Sequence, residues 1–177
     1  CEEQGLLGSK YYAESPLFPL NKTVGVINMD GLNIVGKTKD MTIIGLGNSG
    51  LDDYAVAVLK KYGRYANPDP APEKGGYFRS DHFSFAKVGV PSLYLSKGMD
   101  DVEHGKEWAL AESEKWVMAN YHKPTDNYEP DKWNFDGMIE DIKVYFEVGY
   151  NLSIIKDFPE WKPGSPFKSV RDRMMGK

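Results

Sequence analysis

The sequence is short of the residues on which several classes of protein depend. It contains one cysteine, Cys1, among 177 residues, which excludes an internal disulfide bond and a zinc site built from cysteines. No stretch approaches the roughly 20 consecutive apolar residues that a membrane span needs. The net charge is −4, whereas a nucleic-acid-binding face requires clustered lysine and arginine. We therefore expect neither a membrane span nor nucleic-acid binding.

What is present suits a folded domain. Hydrophobic residues make up 41% of the chain and aromatic residues 13%, and a chain of this length can bury roughly 70% of its unfolded surface. Strand-like and helix-like segments alternate, which predicts a layered α/β/α domain. Strands are expected over residues 23–29, 41–46 and 91–95, and helices over residues 8–14, 51–62, 83–88, 106–119 and 131–156. Residues 1–157 would form the domain, and residues 158–177 a basic peripheral tail.

Two of these helices have apolar positions at helical spacing. The stripe of the last helix predicts its buried face and consists of Phe135, Met138, Ile139, Ile142, Phe146 and Leu152. In the helix over residues 51–62, we expect Tyr54, Val56 and Leu59 to face inward. The prolines and glycines of residues 67–76 predict a loop.

The segment Gly45–Gly50 fits the G-x-G-x-x-G pattern of dinucleotide-binding turns. It lies between a predicted strand and a predicted helix, as such a turn requires. Residues 63–68, which follow that helix, show no clear second strand ending in an acidic residue for the ribose. The sequence therefore argues against nicotinamide or flavin binding.

The candidate reactive residues are acidic or imidazole side chains. Glu2 and Glu3 are adjacent carboxylates, and such a pair at the end of an apolar segment is costly unless a cation or a proton-transfer role stabilises it. Asp30 ends a predicted strand, and His122 lies in Tyr-His-Lys-Pro-Thr-Asp. Together with Ser80-Asp81-His82, and in this order, these motifs resemble the M28 family of zinc-dependent aminopeptidases.

The resemblance implies a mixed sheet within the three-layer α/β/α sandwich and a site with two zinc ions. Glu2 would be the general base, and Glu3 and His122 would bind one zinc. Asp30 would bind the other zinc, and the Tyr77 phenol would stabilise the oxyanion. Zinc lowers the pKa of a bound water to roughly 7, so that a nearby carboxylate can accept its proton.

Other residues would support this site. In the resembled family, Ser80, Asp81 and His82 support the metal ligands through hydrogen bonds, and Asp126 would support the loop that carries His122. Consecutive residues cannot form a serine-protease relay, which excludes that interpretation of the Ser-Asp-His motif. His104 matches no motif of the family.

The resemblance runs from Glu2 to about Asp126 and corresponds to the second half of a catalytic domain. Two further ligands of the family, a histidine in a His-x-Asp motif and a bridging aspartate, have no counterpart here. We therefore expect that this chain alone binds zinc weakly and is inactive or nearly so. We also expect a homo-oligomer, or association with the missing half. In complete form the protein would act on peptides, in a secreted or periplasmic location.

Two alternatives stay open at this point. A glutaminyl cyclase shares the fold and normally uses one zinc, and a non-catalytic binding module of the same fold would need none of Glu2, Glu3, Asp30 and His122. The side-chain preference at the cleaved residue is not readable from the sequence.

Overall fold

A computed structural model describes all 177 residues of the chain. Its four-stranded sheet has the order β1-β4-β2-β3, with β1 at Val26–Met29, β2 at Asp40–Ile44, β3 at Tyr65–Pro68 and β4 at Ser92–Ser96. The pairs β1/β4 and β2/β3 are parallel, whereas β2 and β4 are antiparallel. The mixed sheet agrees with the prediction.

Six α-helices surround this sheet. They are α1 (Leu7–Glu14), α2 (Leu51–Lys61), α3 (His82–Lys87), α4 (Gly105–Ala119), α5 (Asp136–Ser153) and α6 (Lys168–Met174). Leu93 and Leu95 of β4 pack into the core with residues of α2 and α5. Tyr94, between them, points to the opposite face, where its ring lies 4.8 Å from that of His82 at the start of α3. Helices therefore cover both faces of the sheet, which confirms the three-layer α/β/α architecture. None of the helices is both long and apolar enough to cross a membrane.

The core lies between β2, β4, α2 and α5. Its buried members are Met41, Ile43, Leu51, Ala55, Val58, Leu59, Leu93, Leu95, Val144, Tyr145, Val148 and Leu152. On α2, Leu59 is buried and Tyr54 packs against the core, as expected, but Val56 is 41% exposed. The prediction for Val56 was wrong because Ala55, the adjacent position, takes the inward direction.

The buried face of α5 differs from the predicted stripe. Ile139, Ile142 and Phe146 are exposed, and the inward positions are Asp141, Val144, Tyr145, Val148 and Leu152. Polar contacts fix this rotation of the helix, since Asp141 lies 2.7 Å from Arg64 Nη2 and the Tyr145 hydroxyl donates a hydrogen bond to Leu95 O at 2.6 Å. The apolar pattern alone could not show that a carboxylate faces the core.

Residues 65–68 form strand β3, which the sequence did not predict. The strand is short and lies at the sheet edge, where a terminal proline such as Pro68 is tolerated. Its Asn67 amide donates a hydrogen bond to the buried Asp40 carboxylate at 2.7 Å. The absence of a second strand, the ground for rejecting a dinucleotide-binding turn, was therefore wrong.

The glycine-rich turn itself directs its backbone N–H groups into the protein. Gly47 and Ser49 donate to the Asp52 carboxylate at 2.8 and 3.1 Å, and Gly50 donates to Glu160 O at 2.8 Å. These are the donors that a phosphate would need at a helix N-terminus. The turn uses them to hold α2 against the segment around Glu160.

Residues 158–177, expected to be a peripheral tail, make buried contacts with the rest of the chain. The Trp161 indole is buried and donates to Gly89 O at 2.9 Å. The Arg171 guanidinium, also buried, donates to Leu20 O and Thr23 O at 3.0 and 2.9 Å. This segment therefore ties the regions before β1 and before β4 together.

Candidate functional site

The structure brings four of the predicted catalytic and metal-binding residues to one cleft of about 780 Å³, which we call the open cleft, and Ser80 lines it as well. Asp30 directly follows β1, Glu2 and Glu3 precede α1, and His122 follows α4. All four side chains line the open cleft. Loops at the end of a strand and at helix termini thus position residues that are far apart in the sequence.

Glu3 and His122 are in direct contact. His122 Nε2 lies 3.1 Å from Glu3 Oε2, and both side chains are more than half exposed. His122 has a left-handed backbone, with φ at 57°, and its ring stacks on Tyr121 at a centroid distance of 3.8 Å. Non-glycine residues rarely adopt this conformation, and functional sites are among the places where it occurs.

A chain of hydrogen bonds holds the Asp30 carboxylate. Gly31 N donates to Oδ1 at 2.7 Å, and Ser80 Oγ donates to Oδ2 at 2.7 Å. Ser80 in turn accepts a hydrogen bond from Asn28 Nδ2 at 2.8 Å. Asn28 belongs to β1, so the strand that carries Asp30 also fixes the orientation of its carboxylate.

Glu2 has the electrostatic environment of a proton acceptor. Burial raises the pKa of its carboxyl group, and the nearby carboxylates of Asp30, Glu3 and Asp81 raise it further. A raised pKa makes a carboxylate a better proton acceptor, which suits a general base.

Tyr77 does not line the open cleft. Its ring lies 4.7 Å from the His82 ring and stacks on Phe167 at 6.0 Å, and its buried hydroxyl has no hydrogen-bond partner. Burial, and then the charge of Asp52, raises the pKa of the Tyr77 phenol well above its usual value. In this structure Tyr77 therefore packs among aromatic rings, and its role at an oxyanion stays a prediction.

The side chains of Ser80 and His82, in the Ser-Asp-His motif, lie in two different environments. Ser80 hydrogen-bonds to Asp30, as described above. His82 is fully buried between Tyr77 and Tyr94, and neither ring nitrogen has a hydrogen-bond partner. Burial lowers the pKa of His82 to about 4, so the ring is neutral at pH 7. Asp81 also has a buried carboxylate oxygen, Oδ1, without a partner.

The loop that carries His122 is held by residues that the sequence did not single out. Thr125 Oγ1 donates to Ala119 O at 2.7 Å, and Asn127 Nδ2 donates to Pro124 O at 2.7 Å. Asp126, expected to support this loop, lines a second cavity, and its support of the loop stays a prediction. The sequence showed only that a polar loop follows the predicted helix. It did not show which side chains would form the hydrogen bonds that hold this loop.

The second cavity, of about 380 Å³, adjoins the open cleft, and we call it the side pocket. Both spaces are lined by Glu3, Asp30, Tyr94, Tyr121 and His122. Lys97 and Trp116 complete part of the side-pocket wall, and sequence reasoning missed them both. The signal for Lys97 was its position two residues after a predicted strand, in the region where site residues gather in open α/β sheets.

The candidate ligands fit zinc in type but not in number. Carboxylate oxygen and imidazole nitrogen are donors that zinc prefers, and a catalytic zinc takes about three of them from the protein. No three His, Cys, Asp or Glu side chains of this chain are arranged to hold a metal ion. His104, the remaining exposed histidine, pairs with Asp101 at 2.9 Å and does not line the open cleft.

Comparisons with known proteins show the fold and the family of the chain. The chain is similar in fold to the LapA aminopeptidase of Legionella pneumophila, with 18% identity and a TM-score of 0.58. The match covers 89% of this chain and 38% of that protein, so the chain spans well under half of its length. The family model described as Peptidase family M28 matches residues 1–146. Because this match takes in most of the chain, including all four cleft residues, the protein belongs to peptidase family M28.

Proposed function

We propose that this chain supplies part of the active site of a metal-dependent aminopeptidase, which removes N-terminal residues from peptides with two zinc ions. The observation that carries the proposal is the convergence of Glu2, Glu3, Asp30 and His122 on the open cleft. These residues come from three separate regions of the chain. Peptide hydrolysis is also supported by the membership of the chain in a peptidase family and by its similarity in fold to an aminopeptidase.

In this proposal Glu3 and His122 hold one zinc ion and Asp30 holds the other. Bound zinc polarises the scissile carbonyl and lowers the pKa of water. Glu2 would accept a proton from the water whose oxygen attacks the scissile carbonyl carbon, and would deliver that proton to the amine nitrogen as the C–N bond breaks, a role that its raised pKa favours. Ser80 keeps the Asp30 carboxylate oriented through its hydrogen bond.

We further propose that the remaining zinc ligands come from residues outside these 177. Two ligands for one ion and one for the other fall short of the usual number, and this chain assembles no group of three. The isolated chain should therefore bind zinc weakly and hydrolyse peptides slowly or not at all. In the natural full-length protein the same residues should be essential.

The experiment measures zinc content by elemental analysis in the isolated chain and in the full-length protein, each with and without His122→Ala. We expect well under one zinc per isolated chain, and about two in the full-length protein, falling in the variant. His104→Ala is the matched control because His104 lies outside the open cleft and should leave zinc unchanged. Two tightly bound zinc ions in the isolated chain would contradict the proposal of outside ligands.

Activity assays on the full-length protein then separate aminopeptidase from cyclase chemistry. Hydrolysis of aminoacyl amides, lost in Glu2→Gln, is the expected result. Cyclisation of peptides with N-terminal glutamine, without hydrolysis of aminoacyl amides, would instead assign a glutaminyl cyclase. Zinc binding without either activity would indicate a non-catalytic protein and would contradict the proposal.

A further inference from the structure

The side pocket contains one lysine close to the candidate zinc ligands. Lys97 directly follows β4 and lines the pocket that Glu3, Asp30 and His122 border. Its Nζ lies 5.9 Å from the centroid of the Trp116 ring, a distance at which a cation and an aromatic face attract each other. Lys97 therefore places one positive charge in the wall of the side pocket, among the carboxylates that also line it.

The Lys97 ammonium has no carboxylate partner within the protein. No aspartate or glutamate oxygen lies within 4.0 Å of its Nζ, and Glu112, which also lines the side pocket, pairs with Lys115 at 3.3 Å. Burial lowers the pKa of Lys97, and no neighbouring carboxylate offsets this effect. A partly buried charge without a partner is unfavourable, so an anion entering the side pocket would gain a charge-assisted hydrogen bond.

The backbone after Lys97 is held rigidly. The buried Asp40 carboxylate accepts hydrogen bonds from Met99 N at 2.9 Å and Asp100 N at 2.8 Å. Gly98, between Lys97 and these amides, lies so close to Asp40 and Thr38 that a side chain there would collide with both. Because the loop is already ordered, little of the binding energy of a ligand is lost in fixing Lys97.

The charges of the side pocket match those of an acidic amino acid. Asp126 lines the side pocket and is not one of the proposed zinc ligands, so its carboxylate can attract a free α-ammonium group. Lys97 supplies the opposite charge, and apolar side chains such as Leu32 and Val117 lie on the wall as well. An aspartate or glutamate at the N-terminus of a peptide carries one positive and one negative group that suit this distribution.

We infer that Lys97 determines specificity, by binding the side-chain carboxylate of an N-terminal glutamate or aspartate in the side pocket. The inference rests on the proposed aminopeptidase function, because it assigns the substrate class of that same site. Lys97 acts on substrate binding and takes no part in the bond cleavage.

The test compares coumarin amides of glutamate, glutamine and leucine as substrates of the full-length, zinc-loaded protein. We expect kcat/KM to be about tenfold or more higher for glutamate than for its uncharged isostere glutamine. Lys97→Met should abolish this preference, and Lys97→Arg should retain part of it. Lys143→Met is the control, since Lys143 is exposed on α5, forms no ion pair, and should not alter the ratio.

Calorimetry supplies a second readout that does not depend on turnover. Free glutamate should bind the protein more tightly than glutamine, and Lys97→Met should remove the difference. Equal kcat/KM for glutamate and glutamine, or a preference that survives in Lys97→Met, would overturn the inference. A higher kcat/KM for the dipeptide Leu-Gly than for Leu-Gly-amide that disappears in Lys97→Met would also overturn the inference. The lysine would then bind the C-terminal carboxylate of the dipeptide rather than an acidic side chain. Failure to cleave any of the three coumarin substrates would instead refute the proposed function itself.

Discussion

Ser80 donates a hydrogen bond to Asp30, with 2.7 Å between Ser80 Oγ and Asp30 Oδ2. Ser80 is almost fully buried, and its hydroxyl also accepts a hydrogen bond from Asn28 Nδ2 at 2.8 Å. The pair connects the end of β1 with the segment that precedes α3. A candidate zinc ligand at the protein surface is thereby oriented by two side chains that are largely buried.

Ser80→Ala should weaken zinc binding by the full-length protein by about tenfold, because partners that orient metal ligands typically matter to that extent. It should also lower the free energy of unfolding by about 1–3 kcal/mol, since the Asn28 amide loses its buried partner. Chelator competition and urea unfolding measure the two effects. Ser153→Ala, which removes the exposed hydroxyl that donates to Tyr150 O, is the control. Unchanged zinc affinity in Ser80→Ala would mean that Asp30 needs no such support.

His82 should make the protein less stable in mild acid. Its pKa is lowered by burial to about 4 from an ordinary value of 6.5, so the folded state binds fewer protons than the unfolded state between these values. The free energy of unfolding therefore falls as the pH falls through this window, by about 2 kcal/mol from His82 alone between pH 7 and pH 5. Urea unfolding at both pH values should show a smaller loss in His82→Phe. His104→Phe, at an exposed histidine, should behave as the wild type does, and equal losses in all three would contradict the assignment.

Much of the fold followed from the alternation of apolar segments. Strands β1, β2 and β4 and helices α1 to α5 each overlap the predicted segments, because apolar residues recur in each at the spacing of its element, although several of those side chains on the helices are exposed. Strand β3 was missed because an edge strand containing Asn67 and Pro68 carries little of the β-branched pattern that signals a strand. The rotation of α5 was missed because the Arg64–Asp141 contact decides it, and pairing between residues 77 positions apart is not visible in a local pattern.

The sequence predicted some residues of the candidate site correctly and gave no indication of others. The order of motifs identified Glu2, Glu3, Asp30 and His122, and the structure places all four on the open cleft, although their roles stay predictions. Tyr77 and His82 belong to motifs of the same family but lie in an aromatic cluster that the sequence could not reveal. Lys97 had no motif at all, and its significance depends on the cavity that it lines.

Arg64→Met should destabilise the protein strongly at neutral pH. Arg64 Nη2 lies 2.7 Å from Asp141 Oδ1, and both side chains are buried. Removing the guanidinium leaves a buried carboxylate without a partner, which costs about 3–5 kcal/mol. Urea unfolding at pH 7 should show this loss, and the double variant with Asp141→Asn should recover part of it. If the double variant is no more stable than Arg64→Met, the unpaired charge is not the cause.

The effect of Arg64→Met should also shrink in acid. Burial raises the pKa of Asp141 to about 6 from an ordinary value of 3.8, so the folded state binds an extra proton between these values. The contribution of Asp141 to the free energy of unfolding therefore falls as the pH rises from about 4 to 6. In Arg64→Met the carboxyl should be protonated at pH 5, and the loss of stability relative to the wild type should be smaller there than at pH 7. Equal losses at the two pH values would contradict this explanation.

The exposed apolar residues of α5 should make the isolated chain self-associate. Ile139, Ile142 and Phe146 lie three and four positions apart on one side of the helix, and Phe146 is 74% exposed. Burying such side chains between two copies is favourable by about 1.5–3 kcal/mol each. Light scattering of the isolated chain at increasing concentration should therefore show a mass above 20.0 kDa.

Phe146→Ser combined with Ile142→Ser should weaken this association by tenfold or more, because both substitutions remove apolar area from the same helix face. Leu17→Ser is the matched control, since Leu17 is an equally exposed apolar residue outside α5. The double variant should keep the stability of the parent chain to within about 1 kcal/mol, because neither side chain packs into the core. A parent chain that stays monomeric, or association that persists in the double variant and disappears with Leu17→Ser, would show that copies of this protein do not meet through α5.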